Sequence, residues 1–226
     1  MSKPDAPSQE MHILAHLDEL RRRLTWVVIG LAIATAVSFA FARPLLEFLI
    51  APYGEQLQAI RPTETIETYF KVALVSGGIL SMPWILYQVW QFIAPGLEPQ
   101  ERRFVYIFIP SGFLLFMMGI AFSWFILLPA AIDFLANFMP TIFVVEWTAG
   151  EFIGFETTFL FWMGVSFELP LIVYLLARVG VVNAATLRQN WRVAIVGVAV
   201  LAAAVTPSID PLTMLLTMVP LLLLYI

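Results

Sequence analysis

The chain has 226 residues and a formal net charge of −4; 61% of the residues are hydrophobic and 12% are charged. Soluble domains are about 25% charged and about 45–50% apolar, so this composition excludes an ordinary soluble domain and predicts one that is embedded in a bilayer. The sequence contains no cysteine, which excludes a disulfide framework and thiol chemistry.

Residues 10–24 have an amphipathic pattern. One helical face carries Ile13, Leu17, Leu20 and Leu24, and the other carries Asp18, Glu19, Arg21 and Arg22. The pattern predicts a helix at the membrane surface that continues into the first span, so we assign residues 1–23 to a cytoplasmic amphipathic N-terminus. The i,i+4 pairs Asp18–Arg22 and Glu19–Arg23 are each worth ~0.2–0.5 kcal/mol, as on any helix surface. Three arginines at a membrane boundary are also explained by topology alone.

The segment that starts at Arg21 also resembles a cleavable signal peptide. Three arginines precede an apolar run that ends in Ala40-Phe41-Ala42, a pattern typical of a cleavage site. The run is too long for the apolar region of a signal peptide, and cleavage would remove the charges that orient the protein. We therefore favour a first transmembrane helix.

Six apolar runs predict six transmembrane helices, at residues 24–42, 69–92, 104–128, 155–179, 191–205 and 212–226. The first four are long enough for a bilayer core, which takes about 20 residues. The last two each cover only about 22–24 Å at ~1.5 Å per residue. Either the bilayer thins there or, for the last run, the sequence stops inside its helix.

Lysine and arginine predict the orientation, with both termini in the cytoplasm. Nine basic residues would lie on the cytoplasmic side: Lys3, Arg21, Arg22, Arg23, Arg102, Arg103, Arg178, Arg188 and Arg192. Three would lie outside: Arg43, Arg61 and Lys71.

The connections and the prolines predict how the spans are arranged. Residues 43–68 form a long outer connection whose stretch 44–50 lies on the membrane, and residues 129–154 form a second outer cap. The short link at 206–211 makes the last two spans an antiparallel hairpin. Prolines inside spans, which usually kink helices, are Pro83, Pro110, Pro170 and Pro220. We predict an all-α polytopic membrane protein with one integral membrane domain, residues 1–226, whose kinked spans form a curved open bundle.

Glu168 is the strongest single candidate for function. It lies near the middle of the run 155–179, where a charge costs about 2.5–3.5 kcal/mol on insertion scales. Gly164, one turn earlier on the same face, lets another helix or a water-filled groove approach closely. Pro170 follows and loosens the helix. The alternative is a protonated glutamate with a structural role only.

Residues 91–104 form a polar loop between two spans. Prolines and a glycine prevent a continuous helix there, and its charged residues are Glu98, Glu101, Arg102 and Arg103. Such a loop is a surface on which a polypeptide partner could be recognised. A solvated loop that caps the next helix is the alternative.

Enzymatic, metal-binding and nucleic-acid-binding functions are poorly supported. Both histidines, His12 and His16, precede the first span, and neither H-E-x-x-H nor G-x-S-x-G occurs. Histidine and acidic residues never cluster at ligand spacing, and no basic aromatic surface is present. We expect no catalytic residue, no cofactor and no metal.

Five motifs, in this order, resemble the receptor family of the twin-arginine translocase, TatC. They are HLDELRRRL at 16–24, PTETIETYFK at 62–71, YQVWQFIAPGLEPQERR at 87–103, GVSFELP at 164–170 and TPSIDP at 206–211. The loop motif within 87–103 and GVSFELP are specific, whereas HLDELR alone is weak. The resemblance spans nearly the whole chain.

The resemblance implies a subunit of the bacterial inner membrane that recognises twin-arginine signal peptides and helps to export folded proteins with the proton-motive force. Glu19 and Glu101 match acidic residues that bind the signal's arginines, and the local arginines that orient or compete are Arg21, Arg22, Arg102 and Arg103. Glu168 matches an intramembrane acid that contacts small single-span subunits. Asp210 matches an acid in the outer link of the last hairpin. Self-association in a larger complex is also implied.

From the residues and the resemblance together we predict a receptor and core subunit of a protein translocase that is not an enzyme. Glu19 and Glu101 would form a two-point carboxylate clamp for the signal's arginines. The alternative is a proton-coupled transporter of small molecules with Glu168 as the proton carrier. It explains the buried acid but not the two acidic cytoplasmic motifs.

Overall fold

A computed structural model describes residues 9–51, 57–94, 105–142, 145–178, 183, 189–206 and 210–225. Within these residues the protein is all-α, as predicted, apart from one isolated parallel bridge between Gln58 and Thr148. The helices are α1 (Gln9–Ile50), α2 (Glu64–Ile93), α3 (Val105–Phe122), α4 (Leu128–Ala136), α5 (Ala149–Ser166), α6 (Leu169–Arg178), α7 (Trp191–Val205) and α8 (Pro211–Tyr225).

The helical stretches differ in length as the sequence predicts. Four are long and apolar enough to cross a membrane: His16–Ile50, Glu64–Ile93, Ile107–Ala136 and Ala149–Ala177. The helices α7 and α8 have 15 residues each. They pack against each other through Val198, Ala202 and Leu221, so the predicted hairpin is present.

The prediction for the first outer connection was wrong at its start. Residues 44–50 are not a separate surface segment, because α1 continues through Pro44 to Ile50. A proline inside a helix removes one backbone hydrogen bond. Here Pro44 is exposed, and Leu49 beyond it is buried in the main core, where Leu45 and Leu46 pack against it. Burial of these leucines offsets the lost hydrogen bond. Because this burial depends on contacts with distant residues, a local sequence pattern could not reveal it.

The prediction for the second outer cap was wrong in the same way. The helix does not end at Pro129 but continues to Ala136 through a π-helical turn, Ser123–Leu127, that joins α3 to α4. The N–H of Leu128 donates to the carbonyl of Ser123, five residues back. This wider turn sits directly before Pro129, and π turns are a common way to accommodate such an interruption.

The predicted weakening near Pro170 is confirmed, since the helix breaks at Phe167 and Glu168, between α5 and α6. The Glu168 N–H donates to the Val165 carbonyl, three residues back, at 3.1 Å. Pro170 is then the second residue of α6, where a proline is tolerated because its missing N–H has no helical partner.

Helix α5 lies at the centre and packs on α2, α3 and α7. The prediction that Gly164 permits close approach is confirmed. A Cβ atom at Gly164 would lie 2.6 Å from the Phe116 ring, and one at Gly119 of α3 would lie 2.6 Å from the Met163 carbonyl oxygen. Two glycines therefore let the backbones of α3 and α5 come together.

Candidate functional site

The start of α1 and the end of α2 meet at the predicted cytoplasmic end of the bundle. The His16 ring stacks on the Phe92 ring with centroids 4.5 Å apart, and the Trp84 Nε1 donates to the Trp26 carbonyl at 2.9 Å. These contacts place the charged face of α1 beside the point at which the chain leaves α2 at Ile93.

Glu19 accepts hydrogen bonds from an arginine guanidinium at this end. The Nε and Nη2 atoms of Arg23 each lie 2.7 Å from Glu19 Oε1, and Arg23 Nη1 donates to Gln88 Oε1 at 3.3 Å. Gln88 is buried, and the side chains of Arg23 and Glu19 are 23% and 29% exposed. The pair is therefore held against α2 and reached by solvent from one side.

The other predicted residues of this face are arranged differently. Arg21 and Arg22 line an open groove of about 380 Å³ together with Asp18 and Trp26. Within the part of the chain that the structure describes, Asp18 forms no ion pair with Arg22, so only one of the two expected i,i+4 pairs is present.

Three predicted site residues lie outside the described residues. These are Glu101, Arg102 and Arg103, in the loop between α2 and α3. Their proximity to Glu19 therefore stays a prediction. The loop must begin beyond Ile93, about one turn after Gln88, so its start lies near the Glu19–Arg23 pair.

Glu168 is buried at the break between α5 and α6, where the sequence predicts a membrane-embedded acid. It is 4% exposed, and neither carboxylate oxygen has a hydrogen-bond partner among the described residues. A Cβ atom at Gly112 of α3 would lie 3.1 Å from Glu168 Oε2, so the carboxyl group faces α3 across a glycine. A group in this position can exchange a proton or bind a polar partner inside the membrane.

Asp210 caps a helix. Its Oδ1 accepts a hydrogen bond from the Thr213 backbone N–H at 2.6 Å, at the first turn of α8. This is the geometry of an aspartate N-cap. This cap fixes the C-terminal end of the link between α7 and α8.

Sequence reasoning missed Glu64. Its carboxylate accepts hydrogen bonds from the backbone N–H groups of Ile60 (2.9 Å), Arg61 (3.1 Å) and Gly150 (2.7 Å). Next to it the Ala149 N–H donates to the Gln58 carbonyl at 2.8 Å. The buried carboxylate therefore joins the first outer connection to the start of α5. An acid in the first turn after Pro62 and Thr63 is a sign of a helix start that the sequence shows, but its partner 86 residues away is not visible there.

We predict that Glu64→Ala lowers the free energy of unfolding by about 2 kcal/mol, since hydrogen bonds to a charged group contribute about 1.5–3 kcal/mol each and three partly buried backbone donors lose their acceptor. Thermal unfolding of the purified protein in detergent, followed by circular dichroism, measures this. Glu67→Ala is the matched control, because Glu67 is on the same turn but forms an exposed pair with Arg61, worth roughly 0–1 kcal/mol. Equal effects of the two changes would contradict the role of Glu64.

Sequence reasoning also missed Glu156. It is the second residue of the predicted span 155–179, next to the predicted boundary. Because α5 begins at Ala149, Glu156 lies two turns inside the helix, where it is 1% exposed. Neither of its carboxylate oxygens has a hydrogen-bond partner among the described residues.

Comparisons with known proteins agree with the motifs. The family model of Sec-independent protein translocase protein (TatC) matches residues 15–220. TatC of Deinococcus radiodurans is 39% identical over 219 residues, which are 93% of this chain and 81% of that protein. TatC of Carboxydothermus hydrogenoformans is 37% identical over 218 residues, 95% of this chain and 90% of that protein. A crystal structure of the twin-arginine translocase receptor TatC matches with a TM-score of 0.82 and 35% identity, and covers 93% of this chain and 94% of that one.

Proposed function

Because this chain belongs to the TatC family of Sec-independent protein translocase proteins, we propose that it binds the paired arginines of export signals with carboxylates at its cytoplasmic end. The protein is a multi-pass subunit of the inner membrane that acts as the receptor of a protein translocase, and it is not an enzyme. The alternative of a proton-coupled transporter of small molecules finds no support among these relatives.

The observation that carries the proposal is the contact between Glu19 and Arg23. Both nitrogen contacts of Arg23 use Oε1 of the carboxylate, which leaves Oε2 for a second guanidinium. The pair is less screened than one in bulk water, because Gln88 and the surface of α2 cover one side. An arginine of the signal would bind at Oε2, or it would displace Arg23 and pair bidentately with both carboxylate oxygens, a contact for which guanidinium groups are suited.

Glu101 is the proposed second point of the clamp. A signal with two neighbouring arginines presents two guanidinium groups, and a second carboxylate in the loop after α2 would bind the other one. Arg21, Arg102 and Arg103 would then orient the peptide or compete for the carboxylates. The start of this loop near the Glu19–Arg23 pair supports the proposal.

The membrane-embedded part is proposed to contact the small single-span subunits of the translocase. An apolar groove of about 420 Å³ lies between α6, α7 and α8, and Pro170, Val198 and Leu221 line it. Glu168 directly precedes α6, and its carboxyl group faces α3 and does not line this groove, so a polar side chain of a partner helix would bind it from the side of α3. The capping of α8 by Asp210 supports the hairpin that forms one wall. Self-association of the chain is a further part of the proposal.

We expect the detergent-purified protein to bind a fluorescent twin-arginine signal peptide at least about tenfold more tightly than the same peptide with two lysines, since a lysine cannot form the bidentate contact. Fluorescence anisotropy measures both affinities. Equal binding of the two peptides would contradict recognition of the arginines and would leave the cytoplasmic charges only their role in orientation.

A further inference from the structure

A second cavity lies at the outer end of the bundle, away from the proposed signal-binding face. It has a volume of about 380 Å³ and lies between the π-helical turn, α4 and α5. Trp124, Trp147 and Phe152 contribute apolar walls, and Asp133 and Glu156 contribute carboxyl groups. No lysine, arginine or histidine is among the described residues that line it.

Glu156 is the unusual member of this cavity. It is 1% exposed, and within the described part of the chain neither of its oxygens has a hydrogen-bond partner. Buried polar groups are normally hydrogen-bonded, and a buried carboxylate is normally paired with a cation. Since Glu156 lines an open cavity, the missing partner can come from outside the chain.

The two tryptophans of the cavity wall pack against neighbouring aromatic rings. Trp124 stacks on Phe48 of α1 with ring centroids 4.5 Å apart and an interplanar angle of 17°. Trp147 meets Phe152 edge to face, with centroids 5.7 Å apart. Indole faces attract cations, and organic ammonium groups are bound by such aromatic walls together with carboxylates.

The oxygen ligands that the cavity offers favour an organic cation over a metal ion. The cavity offers two carboxyl groups, of which Asp133 is exposed, and the described residues contain no group of three or more acidic or histidine side chains that could hold a metal. Calcium takes six to eight oxygen ligands. An ammonium group needs only a few acceptors and gains from the indole faces.

The position of the cavity points to a lipid. Glu156 lies about 10 Å from the start of α5, at ~1.5 Å per residue, and tryptophans concentrate where headgroups meet acyl chains. Beside Trp124, the side chains of Phe125 and Ile126 are 74% and 54% exposed, so acyl chains can pack on them. We propose that this cavity binds the primary ammonium headgroup of a phospholipid from the outer leaflet, with Glu156 as the deep acceptor and Asp133 at the mouth.

The test uses the full-length purified protein and three lipids with identical acyl chains. These are phosphatidylethanolamine, its N-acetylated form, which lacks the ammonium charge, and phosphatidylglycerol. Native mass spectrometry measures how many lipids stay bound after each is added in turn. We expect phosphatidylethanolamine to be retained about tenfold better than the other two, because only it can form a charge-assisted contact with Glu156.

Variants separate this site from general lipid binding. Glu156→Gln keeps the shape of the side chain and is expected to remove the preference for phosphatidylethanolamine. Glu168→Gln is the matched control, because Glu168 is also buried and without a described partner but does not line this cavity. Asp133→Asn should reduce the preference only partly. Equal retention of the three lipids, or an unchanged preference in Glu156→Gln, would overturn the proposal.

Discussion

Glu19→Gln is expected to weaken binding of a twin-arginine signal peptide by about tenfold or more, since a hydrogen bond to a charged group contributes about 1.5–3 kcal/mol. The substitution keeps the shape of the side chain and removes the charge that both Arg23 and the signal's arginine would share. It also leaves the positive charge of Arg23 without its carboxylate, and this charge repels the arginines of the peptide. Fluorescence anisotropy with the detergent-purified variant measures the loss.

The chain provides a matched control for this change. Glu47, on the same helix α1 but at its other end, accepts a hydrogen bond from Arg43 Nε at 3.0 Å in the same i,i+4 arrangement. Glu47→Gln removes an i,i+4 pair of the same helix that is more exposed and has the basic residue first, and it should leave peptide binding unchanged. Equal losses in the two variants would mean that Glu19 acts through the stability of α1 and not as a ligand.

Glu101→Ala tests the other half of the clamp. We expect this variant to insert into the membrane normally and to lose crosslinking to the signal peptide, because one of the two guanidinium groups would have no carboxylate. Normal crosslinking in Glu101→Ala would refute the two-point clamp while leaving a contact at Glu19 possible.

The six apolar runs and their helical class could be predicted from the sequence because each depends on local composition, although two of the runs form two helices each among the described residues. The run 191–205 coincides with α7, since the polar residues Asn190 and Thr206 bound it. The run 212–226 begins one residue after the start of α8 at Pro211, and Ile226 lies outside the described residues. The ends of α1 and α4 could not be predicted in this way. Pro44 and Pro129 look like boundaries, and only contacts with distant residues and a π-helical turn keep these helices continuous.

The candidate site was predictable only in part for a related reason. Glu168 stands out because it interrupts an apolar run, and Glu19 stands out by its motif. Glu64 has a partner 86 residues away, and Glu156 gains its burial only because α5 begins at Ala149 and not at Phe155. Buried acids near a span boundary are therefore missed whenever the boundary itself is misplaced by about two turns.

Gly77→Ala is expected to separate α1 from α2 and to lower the free energy of unfolding by about 1–3 kcal/mol or more, the usual cost of overpacking. A Cβ atom at Gly77 would lie 2.6 Å from the Cα and 2.8 Å from the backbone nitrogen of Thr35. A rotamer change cannot relieve contacts with backbone atoms, so the helices themselves must move. Because Arg23 binds Gln88 across the same pair of helices, the variant should also weaken binding of the signal peptide without any change in charge.

Gly197→Ala separates packing from the intrinsic effect of the substitution. Gly197 lies inside α7, and a Cβ atom there would meet nothing within 4 Å. Alanine favours a helix over glycine by about 1 kcal/mol, so this variant should be as stable as the wild type or slightly more stable. Thermal unfolding of both variants in the same detergent decides the matter. The change in the free energy of unfolding should then have opposite signs for the two glycine substitutions. A Gly77→Ala variant as stable as the wild type would refute the close contact between α1 and α2 on which the position of Glu19 depends.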